Sequence, residues 1–200
     1  MSGGKTESMR GDAVAAPPVG RFTLVFCRSG GSVLLLRRLR APFAGLWNGL
    51  GGKVEPGEKP RASALRELRE EASIAAHEIA GITRLGIVSW VYLDNDSAVE
   101  ATGSMSVFLV ELDSSRAPWT GSRSCPEGEL AWFPERILSD RDDSTLVPNI
   151  PIFFPAMLAD ERPTEYRCIY REGELEAVER MVPAEAGLDL NSNGQMTWRR

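Results

Sequence analysis

The sequence is poor in the residues that most often build metal or nucleophile sites, with one histidine and three cysteines. His77 has no second histidine and no nearby cysteine, so it reads as a surface or packing residue rather than a metal ligand or part of a triad. Cys27, Cys125 and Cys168 are scattered without paired spacing. That speaks against a zinc site or a disulfide framework and for reduced thiols in a cytoplasmic protein. Basic residues are not in excess: 23 Lys and Arg stand against 28 Asp and Glu, a formal net charge of −5. A sequence-independent binder of duplex nucleic acid needs a basic footprint, so that class is set aside. No apolar run is long enough to cross a bilayer, and no membrane partner is expected. Residues 1–20 are rich in Gly, Ala, Pro and small polar residues and lack the apolar core of a signal peptide, so they read as a flexible tail. No internal repeat is visible.

What is present is concentrated in one stretch, Gly51 to Ile74, GGKVEPGEKPRASALRELREEASI. From Lys59 to Ala76 good helix formers dominate, and Pro60 sits near the start, where its missing N–H costs little. Ala64, Leu65, Leu68, Ala72 and Ala75 recur at helical spacing and mark the core face. Glu67, Glu70 and Glu71 are related by i, i+3 and i+4 and share a neighbouring flank, at the edge of the core, where they can line a cleft. Like charges so placed repel, and Arg66 and Arg69, read as lying toward the other side, relieve this only in part. A hard divalent cation would resolve the conflict, since Mg²⁺ takes carboxylate oxygens together with waters and substrate phosphates. The bland alternative is a solvated acidic helix face. The loop before the helix shifts the balance, because Gly49, Gly51, Gly52 and Gly57 let the backbone approach a ligand closely.

In register, Gly52, Glu58, Arg66, Glu67, Leu68, Glu70, Glu71 and Ile74 resemble the Nudix box, with Ser73 standing where the family usually has Gly. The run LWNGLGGKVEPGE is similar to the MutT-like branch, which sanitises nucleoside triphosphate pools. The resemblance covers about residues 21–182. It implies an α/β fold, an α/β/α sandwich with a mixed β-sheet between helices, and tails at 1–20 and 183–200. It also implies a Mg²⁺-dependent hydrolase, Mn²⁺ being the other candidate ion, acting on a nucleotide. Glu67, Glu70, Glu71 and the Gly51 carbonyl would be the metal ligands. One of the three carboxylates would be the base, and Arg66 belongs to the same catalytic set, where with Glu58 it would hold the loop against the helix. In the branch's oxidised-purine enzymes an acidic residue five before a strand Trp helps bind metal. Counting back from Trp132 gives Glu127, with Glu129 the competing choice.

Arg38, Asn48, Gly52, Lys53 and Asn149 are the candidate substrate contacts. Asn48 would read the base by resemblance, although turn formation before Gly49 accounts equally well for an Asn-Gly pair. Arg37, Arg38 and Arg40 read either as a solvated strand end or as phosphate or base contacts. In the mammalian oxidised-purine enzymes a Trp and two neighbouring Asp before the last helix read the base. Val147, Asn149 and Ile150 stand there here, so purine preference does not carry over.

The remaining elements follow from pattern. Strands are expected at residues 21–28, 32–39 and 104–112, one or two strands at 79–94, and a terminal hairpin at 165–181. A helical turn is expected at 134–138 and a second helix from Ile150 or Pro151. Residues 113–126 read as loop, and Trp47 as a packing residue. Three functions remain open: a (d)NTP pyrophosphohydrolase, with an oxidised guanine nucleotide foremost; a hydrolase of a nucleotide sugar, ADP-ribose or dinucleoside polyphosphate; and a non-catalytic nucleotide sensor. The sequence sets no oligomeric state.

Overall fold

The computed structural model describes residues 20–113, 119–181, 188–190 and 196–198. The expected tails lie almost wholly outside these residues. The exceptions are Gly20 and two short paired strands, β10 (Leu188–Leu190) and β11 (Met196–Trp198). The rest is built on one nine-stranded mixed sheet: β1 (Phe22–Ser29), β2 (Ser32–Arg38), β3 (Trp47–Asn48), β4 (Ile79–Leu93), β5 (Val99–Leu112), β6 (Ser122–Cys125), β7 (Gly128–Pro134), β8 (Thr164–Arg171) and β9 (Glu174–Met181). The order is β6-β7-β2-β1-β5-β4-β8-β9, with β3 on β2, and the β1–β5 and β4–β8 pairs are parallel.

Strand alternation divides the core between two faces. Val25, Cys27, Leu34, Leu36, Phe108 and Val110 pack under helix α1 (Pro60–Ala72) through Ala64, Leu68 and Ala72. Leu24, Phe26, Val33, Leu35, Val107 and Val88 pack on the other face against α2 (Ile150–Ala159) through Ile150, Phe153, Phe154 and Met157. The sandwich is the expected one.

Of the one or two strands expected at 79–94 the structure has one, β4, with register shifts near Gly81 and Gly86 that let it bend without breaking. Other elements differ from expectation. β6 lies inside the stretch read as loop; SRSC has no apolar alternation, and it becomes a strand by pairing with the edge of β7. Helix α1 ends at Ala72, because Ser73 takes a left-handed conformation (φ 53°, ψ 33°). The Ser73 N–H then bonds Arg69 O and the Ile74 N–H bonds Leu68 O, both at 3.1 Å, the first being the bond of an αL cap. Ser73 therefore does what the usual Gly does, at the conformational cost of carrying a Cβ there.

The feature that makes room for a site is a fork in the sheet. β1 pairs with β2 only over Cys27–Ser29, and beyond that the two strands separate. The segment after β3 crosses between the prongs. Asn48 pairs with Leu36 on β2, while Leu50 exchanges backbone bonds with Val25 on β1 at 2.7 and 3.0 Å. The segment then runs along β1, where the Thr23 N–H donates to Gly52 O at 2.8 Å and the Val54 N–H to Arg21 O at 3.0 Å. Trp47 packs edge-on to Phe133, ring centres 4.7 Å apart, beneath this crossing. Among the described residues no helix is long and apolar enough to cross a membrane.

Candidate active site

The glycine loop reaches the acidic flank of α1 because two side chains are missing. A Cβ on Gly51, whose φ is 128°, would stand 2.3 Å from Thr23 O, and one on Gly52 would stand 2.4 Å from Glu67 Oε1. The backbone can therefore touch the helix, and the Gly51 N–H donates to Glu71 Oε2 at 2.9 Å.

Arg66 closes the other side. Its Nε and Nη2 grip the Glu58 carboxylate at 3.1 Å each, and Nη2 also donates to Lys53 O at 3.1 Å. That is the loop-to-helix clamp expected of the pair. The expectation that Arg66 points away from the acids is corrected: Nη1 donates to Glu67 Oε1 at 2.8 Å and to Glu70 Oε2 at 3.1 Å. An arginine is long enough to fold back along its own helix, which a projection of Cβ positions does not show. Its guanidinium is correspondingly held further toward the charged form.

The three helix carboxylates sit in different environments. Glu70 is exposed, while Glu67 and Glu71 are buried. Burial pushes Glu67 up, opposed by Arg66 and reinforced by the charges of Glu70 and Glu127. Burial pushes Glu71 up to about 8, opposed by the Gly51 N–H and reinforced by Glu127 and Glu67. Glu127 lines the same cavity as Glu67 and Glu70. Glu129, the competing choice, lies beside Arg37 at 3.9 Å on the β2–β7 pair instead.

Among the described residues no three acidic or thiol side chains converge into a ready-made cation cage. The donors nonetheless suit a hard divalent cation. They are all oxygens, and Glu71 Oε1 is buried without a hydrogen-bond partner.

Two adjoining cavities meet at these residues. One, of about 420 Å³, lies over Arg66, Glu67 and Glu70 and shares Gly52, Lys53 and Glu127 with the other. The other, of about 450 Å³, occupies the fork and extends to Arg38, Asn48 and Asn149. The structure thus brings every candidate substrate contact to one continuous groove. Arg38 is tied to the rim, its Nε donating to Pro42 O at 2.9 Å. Asn48 lines the cavity, and its Oδ1 accepts the Gly49 N–H at 2.9 Å, which is the turn-forming role. Of Val147, Asn149 and Ile150, at the entry to α2, Val147 and Ile150 are core and only Asn149 reaches the cavity.

Trp90 and Tyr92 on β4 and Met105 on β5 line the fork cavity, joined by Tyr170, Phe22 and Phe43, which no motif in the sequence singles out. Tyr170 stacks on Tyr92 with centres 4.8 Å apart and planes 16° from parallel. The alternation of Tyr166, Cys168 and Tyr170 on β8 was the signal for a buried aromatic face there. Phe43, in the left-handed region at φ 65°, an unusual conformation for a bulky residue, packs against Tyr170 from the rim.

Comparison with known proteins agrees with this geometry. The NUDIX domain profile matches residues 17–151. An oxidized purine nucleoside triphosphate hydrolase of Danio rerio is 33% identical over 122 residues, 56% of this chain and 76% of the relative. The CTP pyrophosphohydrolase of Escherichia coli is 49% identical over 49 residues, 24% of this chain and 36% of the relative. The crystal structure of a MutT protein from Bacillus halodurans superposes with a TM-score of 0.62 at 23% identity, covering 81% of this chain and 97% of that one, which speaks to the fold. With the box in register, Glu67, Glu70 and Glu127 lining one groove beside the buried Glu71, and the domain profile spanning most of the chain, this protein belongs to the MutT-like Nudix hydrolases, enzymes that act on phosphoric anhydrides.

Proposed function

We propose that the protein is a Mg²⁺-dependent pyrophosphohydrolase of nucleoside triphosphates, releasing a nucleoside monophosphate and pyrophosphate, with an oxidised guanine nucleotide as the foremost candidate. Mn²⁺ is the alternative ion. The observation that carries this reading is the continuity of the groove: a flat aromatic slot opens directly onto a carboxylate-lined one. A cavity of about 450 Å³ is of the size that takes a nucleoside.

In this reading Tyr92, Tyr170 and Trp90 hold the base, with Asn48 and Asn149 on its edge, and Arg38 and Lys53 meet the phosphates. Glu67, Glu70, Glu71, Glu127 and the Gly51 carbonyl would hold the ion, which supplies charge neutralisation on phosphate oxygens when bound. Water adds to a phosphorus, the bridging P–O bond breaks, and a carboxylate of this set takes the water's proton. Arg66 positions Glu67 and Glu70 and fixes the loop. A nucleotide-pool role goes with a cytoplasmic location.

The test is a panel of nucleoside triphosphates, nucleotide sugars, ADP-ribose and dinucleoside polyphosphates with Mg²⁺, products separated by chromatography. Pyrophosphate with the monophosphate is the expected result. Cleavage confined to the diphosphate-linked compounds would replace the proposal with the broader hydrolase reading, and binding without turnover would replace it with a sensor.

A further inference from the structure

Asn149 behaves unlike an ordinary residue at a helix start. It occupies the N-cap of α2, where Asn typically stabilises a helix by accepting an N–H of the first turn through its side chain. Here no side-chain cap bond is made. The side chain turns instead into the cavity wall, buried, where Nδ2 donates to Tyr170 Oη at 2.9 Å and to Cys168 Sγ at 3.4 Å. Pro151 in the first turn removes one donor that a cap would have served, which lessens the loss.

These two bonds fix which end of the carboxamide faces the ligand. An amide nitrogen has two hydrogens and can serve two acceptors at once, whereas the oxygen would need both neighbours to donate, and a thiol is a weak donor. Both neighbours keep their protons at ordinary pH, since burial pushes the Cys168 thiol up to about 12 and raises the Tyr170 phenol as well, and each still offers the amide nitrogen a lone pair. Tyr170 is itself held by its stack on Tyr92 and by Phe43, so the hydroxyl cannot swing away. On the opposite side of the specificity problem, the Asn48 oxygen is occupied by the Gly49 N–H. The cavity therefore has one amide with its oxygen engaged and one with its nitrogen engaged.

We propose that Tyr170 and Cys168 are positioning residues that keep the Asn149 nitrogen in the core and its oxygen toward the ligand, so that the pocket selects nucleobases bearing an exocyclic amino group over analogues without one. The inference rests on the reading of the cavity as a base pocket. It applies to an oxidised guanine, which retains its amino group, and equally to cytosine.

Binding is the readout, so that hydrolysis is not required. Titration calorimetry in EDTA compares two pairs of monophosphates, dGMP with dIMP and dCMP with dUMP. The amino member of the better-binding pair is expected to bind at least about tenfold more tightly, since a buried acceptor left unpaired disfavours the analogue. Tyr170→Phe keeps the ring but frees the amide to turn, and should bring that ratio to within about twofold of one. A mere packing defect would weaken both members alike and leave the ratio standing. Asn149→Leu should abolish the ratio while also removing the bond that Tyr170 Oη accepts. Equal binding within each pair of the wild-type protein, or a ratio unmoved in Tyr170→Phe, overturns the proposal while leaving triphosphate hydrolysis intact. Failure of all four ligands to bind removes both the proposal and the base pocket beneath it.

Discussion

At the scale of the residue, Glu71 shows how function and stability oppose each other. Its carboxyl is buried, one oxygen has no partner, and its ordinary value of 4.5 is raised to about 8. Between these values the folded chain binds a proton that the unfolded chain has released, so metal-free stability falls as pH rises from about 4.5 to about 8. Glu71→Gln removes that dependence. In EDTA at pH 8 the variant should be more stable than wild type by a few kcal/mol, with the difference closing toward pH 5, as read by denaturant titration. The same variant should lose turnover with the fold intact, and wild-type rates would take this carboxylate out of the chemistry. Gly51 and Gly52 separate in a parallel way. Gly52→Ala collides only with the movable end of Glu67 and should fold, losing activity through a displaced carboxylate. Gly51→Ala meets the Thr23 carbonyl in a backbone conformation that resists a side chain, and should lower the melting temperature markedly.

At the scale of the element, α1 shows what was legible in the chain and what was not. Its existence, its Pro60 start and its acidic flank follow from local periodicity, which a sequence carries on its face. Its end was misplaced because the usual Gly is absent and Ser73 takes the left-handed position regardless. Ser73→Gly should stabilise the protein by about 1 kcal/mol in thermal or denaturant unfolding, by relieving that conformation. The long strands are visible through alternation, whereas β6 has none of its own and owes its strand character to pairing with β7 across the turn at Pro126 and Glu127. The same holds for the site. The box acids could be read directly, but the grip of Arg66 on Glu67 and Glu70 depends on side-chain reach, and the Tyr170 wall on the parallel docking of β8 beside β4.

At the scale of the whole molecule, the two halves of the groove belong to different layers. The carboxylate half stands on α1, and the aromatic half on β4, β8 and the start of α2. The aromatic half needs no ion for its shape, being held by ring stacking and the Asn149 contacts. Nucleoside monophosphate binding should therefore persist in EDTA, by calorimetry, while hydrolysis of triphosphates stops. Loss of both together would show that the halves are not independent. The segment that crosses the fork from Asn48 on one prong to Gly52 on the other then acts as a ruler. Four residue steps of extended chain reach at most about 13 Å, which bounds the gap between a seated base and the bond that meets the acids. A chain one residue longer there would bring a different phosphorus to the water, and so change which products leave.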